Sequence, residues 1–356
     1  MDISALGWGT FFEAHFNELN ASDYAPARVV RQDRERYTVM TAGGQGAAVI
    51  PGRFRHKAVS PADFPVVGDW VAVNNRQEPF IIETLLPRRS AFTRKTAGME
   101  TEEQVLAANI DTAFLVMGLD GNFNVRRIER FLTTAWDSGA SPVIILNKAD
   151  LHDETTAFED EVASVAIGVP VHAVSALDGR GLDAVREQVG DGITVALFGS
   201  SGVGKSTIIN RLLGEERLYT QGVSDAAARG RHTTTHRELV ILPDGGVLID
   251  TPGLREIQLW ADFDSLERSF EDIAILASGC RFRDCSHEKE PGCEVLVAVE
   301  DGRLEESRFR SFLKQRRELA FLERRQDNRA RRRAEKEWGR KMSSYMKDLK
   351  KRKPNR

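Results

Sequence analysis

The chain has 356 residues, a formal net charge of −3 and 41% hydrophobic residues, which is room for two or three domains with a sizeable core. No apolar run approaches the roughly 20 residues a membrane helix needs, and three cysteines are too few for a disulfide framework, which suits a reducing cytoplasm. The small net charge hides an asymmetry: residues 28–95 carry 12 Lys/Arg against 6 Asp/Glu, residues 96–302 carry 17 against 35, and residues 303–356 carry 21 against 8. Two basic flanks around an acidic middle read either as solvated surfaces or as contacts to a polyanion such as RNA.

The first residues contain Asp2 and no early Lys or Arg, which argues against a secretory signal. Leu6, Trp8, Phe11, Phe12 and Phe16 instead predict a short amphipathic helix within residues 1–24, docked on the body or on a partner. Residues 25–95 hold about five short alternating strands separated by Gly43-Gly44, Pro51-Gly52, Pro65 and Pro87, the pattern of a small β-barrel, most often an OB-fold. Arg53, Arg55, His56 and Lys57, with the later cluster Arg88, Arg89, Arg94 and Lys95, predict a basic rim on that barrel. The polar stretch 96–104 reads as a linker.

From residue 105 the texture changes to alternating strands and helices, which predicts a parallel sheet with ligand loops at the carboxyl ends of its strands, through residue 262. One apolar strand ends in Asn147, Lys148, Ala149 and Asp150, a pattern that fits guanine recognition. The Asp150 carboxylate can accept from both the ring N1–H and the exocyclic amine of guanine, whereas adenine offers no such pair of donors. Asn147 is assigned to holding loop and base, and the Lys148 stem to packing over the ring. Ser175 and Ala176, closing the next strand, are the usual backbone companions of the guanine carbonyl.

The run Gly199, Ser200, Ser201, Gly202, Val203, Gly204, Lys205, Ser206 and Thr207 follows a short buried strand and opens a helix, which is the context a phosphate loop needs. Its N–H groups would cradle phosphate, Lys205 would reach the β- and γ-phosphates, and the Ser206 hydroxyl would ligate Mg²⁺. Downstream, Gly230-Arg231-His232-Thr233-Thr234-Thr235 supplies a switch threonine, Thr234 or preferably Thr235, to close the metal shell. Asp250-Thr251-Pro252-Gly253 matches the D-x-x-G switch, with Asp250 reaching Mg²⁺ through water and the Gly253 N–H sensing the γ-phosphate. Leu254 follows where many GTPases carry a water-orienting Gln, which implies slow intrinsic turnover and activation by a partner. His232 is the nearest polar candidate to position water; the alternative is a switch contact without catalysis.

The guanine motif precedes the phosphate loop, so the chain is circularly permuted relative to ordinary GTPases, and the second switch runs straight into the C-terminal segment. There, in residues 263–323, Cys280, Cys285, His287 and Cys293 gather every cysteine of the chain within 14 residues. Three thiolates and one imidazole form a closed tetrahedral zinc site without an open position for water. Residues 324–356 are charge-dense, with Trp338 and Tyr345 interspersed, and read as a solvated helical tail or as a segment that folds on RNA.

These motifs together resemble the family of ribosome small-subunit-dependent GTPase A (RsgA), bacterial circularly permuted GTPases, over nearly the whole chain. The resemblance implies an α/β permuted phosphate-loop GTPase domain flanked by an N-terminal OB barrel and a C-terminal helical zinc domain. It implies a monomeric cytoplasmic factor, cycling between GTP and GDP with Mg²⁺, that acts late in 30S assembly and binds 16S rRNA, its hydrolysis stimulated by the small subunit. A GTPase of another RNA process, such as tRNA modification, and a nucleotide-gated RNA-binding module are the alternatives.

Overall fold

A computed structural model describes residues 2–20, 22–33, 36–95, 103–216, 237–250 and 263–320, and divides into two compact units, residues 1–275 and 276–356. No helix among the described residues is long and apolar enough to cross a membrane.

The alternating N-terminal segments form a five-stranded barrel: β1 (Ala25–Asp33), β2 (Arg36–Thr41), β3 (Gly44–Val49), β4 (Trp70–Asn74) and β5 (Phe80–Leu85). Strand order β1-β2-β3-β5-β4 closes by a β4–β1 pairing, with β3 and β5 parallel. Every second residue points inward, so Val29, Tyr37, Val39, Val71, Val73 and Ile82 fill the barrel. A short helix, α1 (Thr10–Asn17), docks on the body through Leu6, which precedes it, and Phe12, both buried, and Trp8 meets Trp70 edge to face at 4.8 Å.

A second short helix, α2 (Gly52–Lys57), joins β3 to β4 and leaves Arg55, His56 and Lys57 exposed. Arg88 departs from the expected basic rim. It donates to both Asp69 oxygens at 2.7 and 2.8 Å and to the carbonyls of Ala62 and Phe64, because burial pushes the Asp69 carboxyl up and a buried carboxylate needs a partner. Arg28 is likewise interior: it donates to the carbonyls of Leu6, Gly68 and Asn109 and lies 5.5 Å from the Trp70 ring centroid, its pKa lowered to about 10 by burial.

Strands β6 (Ala91–Lys95) and β7 (Glu103–Ala108) pair with each other in an antiparallel ribbon. Thus β6, expected with the barrel, leaves it, and the polar stretch expected as a linker ends in a strand. Phe92 of the ribbon stacks on Phe198 at 4.3 Å.

The α/β layer follows. Parallel strands β8 (Thr112–Gly118), β9 (Ser141–Asn147), β10 (Val171–Ala173), β11 (Thr194–Phe198) and β13 (Val247–Asp250) assemble in the order β10-β9-β8-β11-β13. Antiparallel β12 (Arg237–Ile241) follows β13 and pairs with β1, Arg31 opposite Glu238, so the barrel and the sheet share a hydrogen-bonded seam. Leu115, Met117, Ile144, Leu146 and Ala196 face α3 (Val125–Ser138) and α4 (Thr156–Ala163); Phe114, Val116, Val143, Ile145 and Val195 face α5 (Leu182–Arg186) and α6 (Lys205–Leu213). This alternation between two helical layers is what a doubly covered parallel sheet requires. At roughly 1.5–3 kcal/mol per fully buried large apolar side chain, these two faces form the rigid floor on which the loops stand.

Two helices follow the sheet, α7 (Phe263–Ser269), packed on α3, and α8 (Glu271–Ala277). In the second unit, α9 (Glu294–Glu300) and a further helix, α10 (306–320), follow the cysteine-bearing loop, and Val295, Ala298, Leu304, Phe309, Phe312 and Leu319 are buried.

Candidate nucleotide and metal sites

The parallel register sets Gly118 beside Asn147 and Ala173 beside Leu146, while β11 ends at Phe198 opposite Leu115, so the loops that follow β8, β9, β10 and β11 emerge at the same carboxyl edge of the sheet. Asn147 is 3% exposed and sits at their junction. Its Nδ2 donates to the Val203 carbonyl of the phosphate loop at 2.8 Å, and its Oδ1 accepts from the Ala176 N–H at 3.0 Å. One amide therefore ties the phosphate loop to both guanine-type loops. Gly204 explains the glycine: its φ is +94°, and a Cβ there would lie 2.2 Å from Asn147 Nδ2. Gly199 is constrained in the same way by the Val116 carbonyl, 2.3 Å from the site a Cβ would occupy.

Lys148 takes a left-handed φ of 70° and its Nζ meets Asp120 at 2.5 Å, which holds the Asp120 carboxyl below the usual carboxylate range. The Asp150 Oδ1 accepts from Ser175 Oγ at 2.8 Å. Ala149 is buried beneath them. In the phosphate loop, Lys205 is buried and donates to the carbonyls of Gly199 and Ser200 at 2.7 and 2.6 Å. Ser200, Ser201, Gly202 and Val203 form the turn, and Ser206 and Thr207 lie in the first turn of α6, whose N-cap is Gly204. Asp250 closes β13, opposite Glu238. The motifs separated in sequence are thus drawn to one edge. Thr234, Thr235, His232, Gly253 and Leu254 lie outside the described residues, as does the tail 324–356.

In the second unit the Sγ atoms of Cys280, Cys285 and Cys293 and a His287 ring nitrogen all lie within 4.8 Å of one another. Cys280 Sγ is 3.6 Å from His287 Nδ1 and 3.8 Å from Cys293 Sγ, and His287 Nδ1 is 3.4 Å from Cys293 Sγ. A tetrahedron of Zn–S bonds near 2.3 Å has edges of about 3.8 Å, so these donors fit such an ion. Burial lowers the His287 pKa, favouring the neutral ligand form, and pushes the Cys293 thiol up to about 11 in the absence of a cation. The His287–Cys293 loop is folded by Glu290, which accepts from Ser286 Oγ and N and from the Glu288 and Lys289 N–H groups; these bonds hold its pKa down at about 2. Arg317 pairs with Glu288 at 2.8 Å, bracing the loop against α10.

Residues 85–260 match the RsgA GTPase family. Over 338 residues the chain is 47% identical to the small ribosomal subunit biogenesis GTPase RsgA of Opitutus terrae, covering 92% of each chain. The chain belongs to the RsgA GTPase family. It is 45% identical over 315 residues to RsgA 1 of Oceanobacillus iheyensis, covering 88% of this chain and 90% of that one. The crystal structure of YjeQ from Thermotoga maritima matches with a TM-score of 0.64 and 27% identity, covering 83% of this chain and 99% of the other. YloQ, a circularly permuted GTPase, shares the fold at 24% identity and a TM-score of 0.62, covering 85% and 96%. This RsgA-family chain is accordingly a circularly permuted GTPase with a five-stranded barrel and a cysteine–histidine group able to hold a metal.

Three residues at the nucleotide edge of this RsgA GTPase escape motif reading: Asp120, which pairs Lys148; Arg211, whose Nε donates to the Ala176 carbonyl at 3.0 Å; and Arg127, which reaches Ser200 at 3.0 Å. Asp120 alone carried a usable signal, since it follows a buried strand at the edge where ligand loops gather.

Proposed function

We propose that this chain hydrolyses GTP on the small ribosomal subunit late in its assembly, as a monomer in the cytoplasm, and contacts 16S rRNA through its basic flanks. The carrying observation is Asn147, whose amide holds the phosphate loop and the Ala176 loop together, so that one nucleotide can span both. In this reading Asp150 accepts from the guanine edge, its Ser175 bond orienting the carboxylate, and Lys148, steadied by Asp120, covers the ring. Lys205 exchanges two loop carbonyls for β- and γ-phosphate oxygens, and α6 presents its N-terminus to them. Ser206, with Asp250 behind a water and Thr235 from the switch, would hold Mg²⁺, which supplies charge neutralisation across the phosphates. Gly253 would sense the γ-phosphate and His232 would orient water. Leu254 cannot do so, which supports a slow intrinsic rate raised by the subunit.

Cys280, Cys285, His287 and Cys293 would bind one structural zinc ion, and their clustering, with all three cysteines outside any disulfide, supports a reducing compartment. Exposed Arg55, His56 and Lys57 on the barrel support the RNA contact. The test is co-sedimentation with a non-hydrolysable GTP analogue: the chain should pellet with the small subunit and neither pellet with the large subunit nor bind tRNA. Preference for tRNA or the large subunit would overturn the assignment.

A further inference from the structure

Arg127 lies in the first turn of α3, yet its side chain belongs to the phosphate loop. Its Nη1 donates to Ser200 Oγ at 3.0 Å and to the Asn122 carbonyl at 3.4 Å. Both acceptors are neutral, and among the described residues Arg127 has no carboxylate partner. The adjacent Arg126 differs: it pairs with Glu129 at 2.6 Å. Two cations therefore converge on one loop residue, Lys205 on the Ser200 carbonyl at 2.6 Å and Arg127 on the Ser200 hydroxyl. A half-buried guanidinium satisfied only by neutral oxygens gains more from an arriving anion than an ion-paired one would, because it has no pair to break and little water to shed. The anion this loop is built for is a triphosphate. Leu254, which follows the D-x-x-G motif, lacks the polar group through which many GTPases orient water, so the site needs transition-state charge stabilisation from elsewhere.

We propose that Arg127 is a catalytic residue acting in cis, an arginine that leaves Ser200 for the γ-phosphoryl group and stabilises the charge developing on it. The proposal rests on GTP being the substrate of this loop. In the step, the water oxygen bonds to the γ-phosphorus as the bond to the β–γ bridging oxygen breaks. GDP departs with that bond's electron pair, and the two water hydrogens leave with inorganic phosphate, which releases a proton to solvent according to pH. Arg127 gives and takes no proton; it donates hydrogen bonds to the equatorial oxygens. Because Ser200 already satisfies it before the step, its contribution appears in kcat more than in nucleotide affinity.

The experiment measures single-turnover GTP hydrolysis by the full-length chain, alone and with purified small ribosomal subunits, for wild type, Arg127→Ala and Arg127→Lys. Dissociation constants for GDP and a non-hydrolysable GTP analogue serve as the check on folding. Arg127→Ala should lose at least about 100-fold in rate while both dissociation constants stay within about threefold of wild type. Free guanidinium should restore part of the rate to Arg127→Ala, and Arg127→Lys should recover little, a point charge lacking the planar fork. An Arg127→Ala rate within threefold of wild type, or a loss of affinity parallel to the loss of rate with no guanidinium rescue, overturns the proposal. Absence of stimulation by subunits in the wild type would instead count against the ribosomal reading, since the basal rates still compare the variants.

Discussion

Replacing Asn147 by alanine is the sharpest perturbation of the nucleotide edge, because the effect should precede any nucleotide. The side chain is 3% exposed and makes two bonds, to the Val203 carbonyl at 2.8 Å and from the Ala176 N–H at 3.0 Å. Truncation leaves both backbone groups without their partner in a water-poor junction, at roughly 1–2 kcal/mol each, so about 2–4 kcal/mol in all. For a domain of this size about 2–4 °C of melting temperature accompanies each kcal/mol, which gives a fall of roughly 5–15 °C in the nucleotide-free protein. Asn147→Asp is the matched control. It keeps an acceptor for Ala176 but sets a carboxylate oxygen against the Val203 carbonyl, so it should also melt early. Differential scanning calorimetry without nucleotide measures both. Melting of Asn147→Ala within 1 °C of wild type, together with weakened GDP binding, would refute the reasoning by confining Asn147 to the base.

Other outcomes follow from the same geometry. Asp150→Asn should weaken GTP binding by about 10–100-fold, the equivalent of about 1–3 kcal/mol for one mispaired base edge, and improve binding of xanthosine triphosphate, whose C2 oxygen accepts where guanine donates; competition titration reads the switch. Purified protein should carry one zinc by elemental analysis, and Cys293→Ala should lose it along with the helical signal of residues 276–320. In the metal-free protein His287 has a pKa depressed below 6.5 by burial, so the unfolded chain binds the proton more readily. Stability of that unit should therefore fall as pH drops below 6.5 toward the folded value, and a melting temperature flat between pH 7 and pH 5 would contradict this. On the barrel, Arg88→Ala strands the buried Asp69 and should cost about 3 kcal/mol of stability with RNA affinity retained, whereas Arg55→Ala with Lys57→Ala should lower affinity for rRNA fragments and flatten its salt dependence while melting as wild type.

What could be read from the sequence was whatever is local in the chain. The phosphate loop announces itself because Gly199, Gly204 and Lys205 must be fixed steps apart, and the strand alternation from β1 to β5 marks inward and outward faces residue by residue. The cysteine–histidine spacing is equally local. Contacts that join distant segments were not legible. The β1–β12 seam unites residues about 200 positions apart, and nothing in Arg31 or Glu238 marks it. Arg88 looked like surface charge until Asp69 appeared behind it, and β6 followed the barrel in sequence but pairs with β7, whose strand lies past a polar stretch. Arg127 has no motif around it, since it takes its meaning from a loop on another strand, and Asp120 is marked only by its place after a buried strand. The switch residues lie outside the described region, so for them the motif remains the basis of assignment.

The central claim is a GTPase governed by the small ribosomal subunit, and GTP turnover with and without purified small subunits tests it most directly. A slow rate for the chain alone, raised at least about tenfold by small subunits and unmoved by large ones, is the predicted result. Equal turnover in both conditions, or turnover of ATP as fast as GTP, would contradict the account.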